Sequence, residues 1–282
     1  MNAGPATIET STAGGVRTLR IARPERLCAV DVPTMCDLID GLQGAVDDPE
    51  VRCVVLTGTG RAFSAGADLR ELAQPSPAPR AAELLATHDG LGGQAPGTRG
   101  KAVIIDVCNR FVLAITEAPV PVIAAVNGLV VGVGNAFALA GDLVLASSCA
   151  TMSFGFSKIG LMPDGGATAL APARMGRGAV ARMLYAHETL DAAEAMRVGW
   201  ADEVVPAEEF DAVVAERAAE LASGPTRAWA ASKASLAAGL RPELLRAMQA
   251  EADGQVALAE TDDHRGAARA FAAGEAPTFR GR

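Results

Sequence analysis

Two stretches of this chain repeat one pattern, and that pattern restricts the fold more than any other feature. Residues 51–58, VRCVVLTG, run into GRAFSAGADLREL, and residues 121–128, PVIAAVNG, run into LVVGVGNAFALAGD. Each is a short, continuous, β-branched run closed by glycine. Such runs predict strands buried on both faces, which requires helices covering the sheet. DLVLAS at 142–147 and ATMSF at 150–154 read as further strands, and 32–46, 101–116 and 176–188 carry helical patterns. The alternation predicts an α/β fold. In DAAEAMRVGWADEVV at 191–205, Asp191 is placed to cap a helix, with Glu194 three residues on and Gly199 to end it in a left-handed conformation. From about 207 the chain is Ala-rich and helical, and reads as a separate helical layer or an oligomerisation region.

Half of the 282 residues are hydrophobic and 21% are charged, enough apolar material for a large core and too much for a disordered chain. The net charge of -8 argues against a nucleic-acid partner. The five cysteines (Cys28, Cys36, Cys53, Cys108, Cys149) are scattered without a CxxC, and are expected to be free thiols in a reducing compartment. The opening residues, MNAGPATIETSTAGG, contain no basic and apolar leader, so a cytoplasmic location is expected. The apolar stretch 119–146 could be mistaken for a membrane span. It carries two prolines, several glycines, Asn127, Asn135 and Asp142, and reads instead as strand, turn, helix and strand in a globular core. Residues 74–100 are rich in proline and glycine and read either as a lid over a site or as a disordered surface insertion.

Common catalytic signatures are missing. Gly132-Val133-Gly134 does not complete a GxGxxG, and there is no P-loop or GxSxG. His187-Glu188 begins like a zinc motif, but Asp191 stands where the second histidine belongs, so no metal site is expected. His88, His187 and His264 read as solvated residues, which leaves a Ser-His-Asp hydrolase without support.

Chemistry is better placed at the two glycine turns. Gly66 permits a positive φ, and the amides of Ala67 and Asp68 follow it. Gly132 and Gly134 flank the amide of Val133 in the same way. Unpaired N–H groups at helix N-termini favour an oxyanion. Two that converge form an oxyanion hole, in which one donor contributes about 2.7–4 kcal/mol to the transition state. Each turn taken alone is also ordinary α/β architecture.

Taken in order, the blocks RPERLCAVD (23–31), VVLTGTGRAFSAGADLREL (54–72), PVIAAVNGLVVGVGNAFALAGDLVLAS (121–147), FSKIGLMPDGGATALAPARMGR (156–177), LDAAEAMRVGWADEVVP (190–206) and GPTRAWAASK (224–233) resemble the enoyl-CoA hydratase/isomerase (crotonase) family over about residues 16–282. The resemblance implies a crotonase-like spiral of ββα units over 1–206, and a C-terminal helical trimerisation region over 207–282. It implies a homotrimer or dimer of trimers. The substrate would be an acyl-CoA thioester, whose coenzyme A is part of the substrate, with no separate cofactor. The thioester oxygen would sit between the N–H groups of Ala67 and Val133. Coenzyme A would lie along Arg26, Leu27, Ala29, Ala65, Asp68 and Leu69, mostly on backbone and apolar atoms. The family often has glycine where Val133 stands, and commonly asparagine where Cys28 stands.

The chain departs from the hydratase pattern at both glutamates. One stands six residues before the aspartate marked here by Asp142, where this chain has Ala136. The other stands four residues before the glycine marked here by Gly160, where this chain has Phe156. Neither can transfer a proton, and a placed acid or base is worth ~10²–10⁴ in rate. One carboxylate remains at a position used by isomerases and dehalogenases of the superfamily: Asp164 in Met162-Pro163-Asp164-Gly165-Gly166. Phe154, Phe156, Leu161 and Met162 would desolvate it and raise its pKa. It reads either as the proton-transferring group or as the cap of the helix that follows. Asp106 and Asn109 read mainly as solvent-facing, with the acyl pocket as the other reading, Asp142 as structural, and Lys233 as solvated, with a coenzyme A phosphate as the other reading. The functional expectation is an enoyl-CoA isomerase-type reaction through an enolate. A hydratase with atypical acid and base groups is the second reading, and a non-catalytic acyl-CoA-binding protein the third.

Overall fold

A computed structural model describes residues 6–68 and 99–282; Leu69 and nearly all of the 74–100 insert lie outside the described residues. The chain begins with a hairpin of β1 (Ile8–Ala13) and β2 (Val16–Ile21), turned at Gly14 and Gly15, which both have positive φ. Two such residues give the turn that suits right-twisted strands. Sequence patterning does not foresee β1, because five of its six residues are exposed and it lacks an apolar run.

The principal sheet has the order β1-β2-β3-β5-β7-β10, parallel throughout except for the hairpin. Its centre is the pair of glycine-closed runs, β3 (Cys53–Gly58) and β5 (Val122–Val126), buried at every residue, with β7 (Leu143–Ser147) and β10 (Glu203–Val205) beyond. A second sheet, β4-β6-β8-β9, is formed by short segments: β4 (Ala62–Ser64), β6 (Leu129–Val131), β8 (Thr151–Ser153) and β9 (Leu190–Asp191). Successive turns of the chain therefore place one strand in each sheet before a helix, which is a ββα spiral. The apolar stretch 119–146 is resolved in this way into β5, β6, helix α3 and β7.

Helices α1 (Val32–Asp47), α2 (Arg99–Glu117), α3 (Gly134–Ala140) and α4 (Ala167–Tyr185) pack with the spiral. The helix expected at 176–188 starts nine residues earlier than its glycine, at Ala167; Gly176, at φ 73° and ψ 157°, is a kink inside it rather than its start. Helix α5 (Ala192–Val198) has the caps expected of it: Asp191 accepts the Glu194 N–H at 2.8 Å, and Gly199 is left-handed at φ 85°. Helix α6 (Phe210–Ser223) packs Phe210, Val214, Ala218 and Ala222 onto Cys53, Val55, Ile123 and Leu145 of the principal sheet. The 34-residue α7 (Thr226–Ala259) and α8 (Asp262–Ala273) follow. Among the described residues no helix is long and apolar enough to cross a membrane.

The solvated reading of Lys233 is overturned. Its side chain is only 11% exposed, and Nζ donates to Asp142 Oδ2 at 2.6 Å and to the Val120 carbonyl at 3.2 Å. The same Asp142 oxygen accepts the Val122 N–H at 2.8 Å, so the pair ties α7 to the start of β5. Burial draws the Lys233 pKa down, while Asp142 opposes the shift. Removing one partner of a fully buried pair costs about 3–5 kcal/mol; Asp142 retains contact with water, so Lys233→Met is expected to cost about 2 kcal/mol in urea denaturation. A loss below about 0.5 kcal/mol would show the pair to be dispensable.

Candidate active site

The parallel pairing of β4 with β6, Ala62 opposite Leu129 and Ser64 opposite Val130, puts the two glycine turns side by side. A Cβ on Gly66 would lie 2.8 Å from the Val131 carbonyl oxygen and 3.4 Å from Gly132 Cα, and Gly66 has φ 84°. Only glycine permits both the conformation and the approach. Each turn is held by its surroundings. The Gly66 carbonyl accepts Val30 N–H at 2.8 Å, and Ser64 Oγ accepts Gly66 N–H at 3.2 Å. Asn135 Nδ2 donates to the carbonyls of Gly132 at 3.1 Å and Ser153 at 2.9 Å. Among the described residues, no acceptor takes the N–H of Ala67 or of Val133. Both residues line one cavity of about 680 Å³.

The wall of this cavity is apolar, with Ile104, Ile105, Phe154, Phe156 and Leu161 among its residues. Leu27 and Ala65 also line it. Arg26, Ala29 and Asp68 do not appear on its wall among the described residues. Instead, the Ala29 carbonyl and Asp68 carboxylate both accept from Arg23, at 2.6 and 3.1 Å. Arg23 also pairs with Asp31 at 2.9 Å and so joins the 23–31 segment to the Ala67 turn. Leu27 and Cys28 are left-handed, at φ 52° and 55°. Asparagine tolerates that conformation better than most residues; here Cys28 Sγ accepts the Thr59 N–H at 3.3 Å.

Asp164 faces the cavity from the turn after β8. Gln255 Nε2 donates to its Oδ2 at 3.1 Å, while its Oδ1 is shielded from solvent and has no partner among the described residues. Burial pushes its pKa up to about 8, and the Glu251 charge adds to the shift. The capping reading of Asp164 is not what the side chain does. Gly166 begins α4, and its N–H and that of Thr168 are taken by Glu251, reaching from α7, at 2.6 and 2.8 Å. Thr168 Oγ1 also donates to Glu251 at 2.6 Å.

The two hydratase-glutamate positions are apolar in space as well. Phe156 lines the cavity, and Ala136 is fully buried, its Cβ 2.8 Å from where a Cβ on Gly165 would lie. Cys108 lies on the cavity wall as a neutral thiol, its pKa raised well above the ordinary value by burial, then by Asp164 and Asp106. Asp106 and Asn109 are buried, contrary to the expectation that they face solvent. Asp106 pairs with Arg110 at 2.7 Å, and neither lines the cavity. His264 is not solvated, since its Nδ1 lies 2.7 Å from the Ile159 carbonyl; His187 is exposed at the cavity mouth, 3.1 Å from Ser157 Oγ.

The motifs do not point to the contribution of the C-terminal helices, namely Glu251, Gln255, Ala267 and Phe271. A signal was present. Leu244, Met248, Glu251 and Gln255 recur at helical spacing along one face, so two polar residues continue an apolar stripe. Among the described residues, no cluster of His, Cys, Asp and Glu is arranged to hold a metal ion.

Comparison with known proteins agrees with this geometry. The family model described as enoyl-CoA hydratase/isomerase matches residues 11–91 and 94–282. A probable enoyl-CoA hydratase from Rhodobacter capsulatus is 34% identical over 276 residues, 98% of each chain. The 1,2-epoxyphenylacetyl-CoA isomerase of Escherichia coli is 32% identical over 95% of this chain and 96% of its own. The crystal structure of an enoyl-CoA hydratase from Mycobacterium avium subsp. paratuberculosis is 38% identical, covers 98% of this chain and 99% of its own, and has a TM-score of 0.82. The spiral of ββα units, with its paired glycine turns over an apolar cavity, thus belongs to a member of the enoyl-CoA hydratase/isomerase (crotonase) family.

Proposed function

We propose that this family member is an enoyl-CoA isomerase that moves a double bond through a thioester enolate, with Asp164 as its proton carrier. One observation carries the reading. A buried carboxylate with an unpartnered oxygen shares a largely apolar cavity with two unpaired amides, the other carboxylate on the wall among the described residues being the exposed Glu275, while both hydratase-glutamate positions are Ala136 and Phe156. On a 3-enoyl-CoA, the thioester oxygen accepts from Ala67 and Val133 N–H. Ionised Asp164 removes a proton from C2, and the C–H electron pair passes into the dienolate, whose charge the two amides stabilise. The same carboxyl returns the proton to C4, giving the conjugated 2-enoyl-CoA. No proton is gained or lost overall, and coenzyme A takes part only as the substrate's carrier. Leu27 and Ala65, beside the Ala67 turn, are where it would pass. A homotrimer or dimer of trimers remains the assembly we propose.

Hydration is the second reading, because the Rhodobacter capsulatus relative is named a probable hydratase. It requires a group to activate water, and Ala136 and Phe156 provide none. Turnover of 2-enoyl-CoA to the 3-hydroxy ester, with no reaction of the 3-enoyl ester, would overturn the isomerase reading; CoA-ester binding without any turnover would favour a binding protein.

Asp164→Asn is expected to lower kcat/KM for 3-enoyl-CoA isomerisation by at least ~100-fold. In the unaltered enzyme kcat/KM should rise with pH and level off above about 8, where the carboxyl is ionised. The same shift bears on stability. The native carboxyl holds its proton up to about pH 8, while its ordinary pKa is 3.8, so its contribution to stability falls as pH rises through that window. Asp164→Asn should therefore raise Tm at pH 9 and change it much less at pH 4; equal shifts at both would contradict the assignment. Gly66→Ala, whose Cβ would meet the Val131 carbonyl, is expected to reduce kcat/KM by roughly 100-fold through loss of the oxyanion site.

A further inference from the structure

The turn carrying Asp164 has a backbone bond of its own, from Ala167 N–H to the Asp164 carbonyl at 3.2 Å, and Gly165 and Gly166 adopt its left-handed conformation, at φ 70° and 78°, without strain; further support comes from outside the turn. One face of α7 supplies it. Leu244 and Met248 pack where a side chain on Gly166 would stand, a Cβ there lying 2.3 Å from Leu244 Cδ1. Glu251 takes the N–H groups of Gly166 and Thr168. Gly254 leaves room for Met162, whose Sδ would be 2.2 Å from a Cβ at that position. Gln255 closes the set, with Nε2 donating to the Met162 carbonyl at 2.6 Å and to Asp164 Oδ2 at 3.1 Å. Glu251 and Gln255 are both nearly fully buried, 1% and 3% exposed, so neither is a surface residue that happens to lie close.

We propose that Gln255 and Glu251, one turn apart on α7, are positioning residues for the proton-transferring carboxyl: Gln255 occupies Oδ2 and leaves Oδ1 as the working atom, and Glu251 anchors the turn and places a second carboxyl group behind it. This rests on the base reading of Asp164. An amide N–H directed at Oδ2 makes Oδ1 the oxygen that carries the proton, and Oδ1 is the atom without a partner. Among the described residues, the charged and titratable groups acting on Asp164 come from two elements. Glu251 on α7 raises its proton affinity, and Cys108 on α2 is a neutral thiol that contributes no charge. Gln255 acts in the opposite sense, since its hydrogen bond favours the carboxylate. The two α7 residues therefore act in opposition on the acidity of Asp164.

The test is a pair of variants read in two ways. The carboxyl 13C titration of Asp164, assigned by its disappearance in Asp164→Asn, is followed without substrate in the unaltered protein, Glu251→Gln and Gln255→Leu. The pH dependence of kcat/KM for a 3-enoyl-CoA is measured on the same proteins, with thermal unfolding confirming that each is folded. Glu251→Gln should move both midpoints to lower pH, and Gln255→Leu should move both to higher pH and reduce kcat roughly 10- to 100-fold through misplacement. Gln255→Glu, which replaces the donor with a charge, should move the midpoint further upward. Midpoints that stay in place, or move in one direction for both residues, overturn the proposal while loss of activity in Asp164→Asn leaves the base reading standing. If the titrations move as stated but Asp164→Asn turns over normally, the base reading fails, and the positioning role fails with it.

Discussion

The site depends on one close approach, that of the Gly66 turn to the Gly132 turn. Parallel pairing of β4 and β6 sets the two chain segments at ladder distance, and the missing side chain at Gly66 lets them come together beyond the strand ends. Each turn then presents an N–H that the sheet cannot use, because the strand has ended and the following structure has not begun to accept it. An unpaired amide is costly in a buried place and useful where a ligand oxygen will arrive. The spiral produces two such amides because it repeats the same strand-to-glycine transition in successive units. The fold thus creates the electrostatic half of the site before any side chain is chosen.

The other half, the carboxylate, comes from a different balance. Asp164 lies in an apolar pocket with a second carboxylate behind it, and its raised pKa is the consequence. A weak acid of that kind exchanges its proton near neutral pH, as the proposed shuttle between two carbons would have to, whereas an ordinary aspartate holds a proton too weakly to return it readily. Burial draws the Glu251 pKa upward, and the three hydrogen bonds it accepts from Gly166 and Thr168 oppose that shift in part. The helix α4 N-terminus is satisfied by a residue more than eighty positions away in the chain, and Asp164 is thereby released from capping.

The parts of this arrangement differ in how far they can be read from the residues. The central strands were legible because burial on both faces leaves an uninterrupted β-branched run, as in Cys53–Gly58 and Val122–Val126. The helix α5 caps were legible because capping is local: Asp191, Glu194 and Gly199 lie within one segment. The hairpin strand β1 was not, since an exposed edge strand has no apolar signature. Lys233 and Asp142 were each read alone, and a pair 91 residues apart is invisible to local spacing. The same separation hid Gln255 and Glu251 from a reading that located Asp164 and both glycine turns.

That separation also bears on how the site forms. The proposed proton carrier, its anchoring glutamate and the two amides come from the first quarter of the chain, from its middle and from its C-terminal helices, so no contiguous segment contains them all. Helix α7 is attached at two distant points, through Lys233 to the start of β5 and through Glu251 and Gln255 to the Asp164 turn. Pro242 lies between these attachments, within the helix. A helix fixed at both sides of such a point cannot shift along its axis without breaking one set of bonds. The Lys233–Asp142 pair and the Glu251 and Gln255 bonds thus hold the two halves of one helix to two separate parts of the spiral.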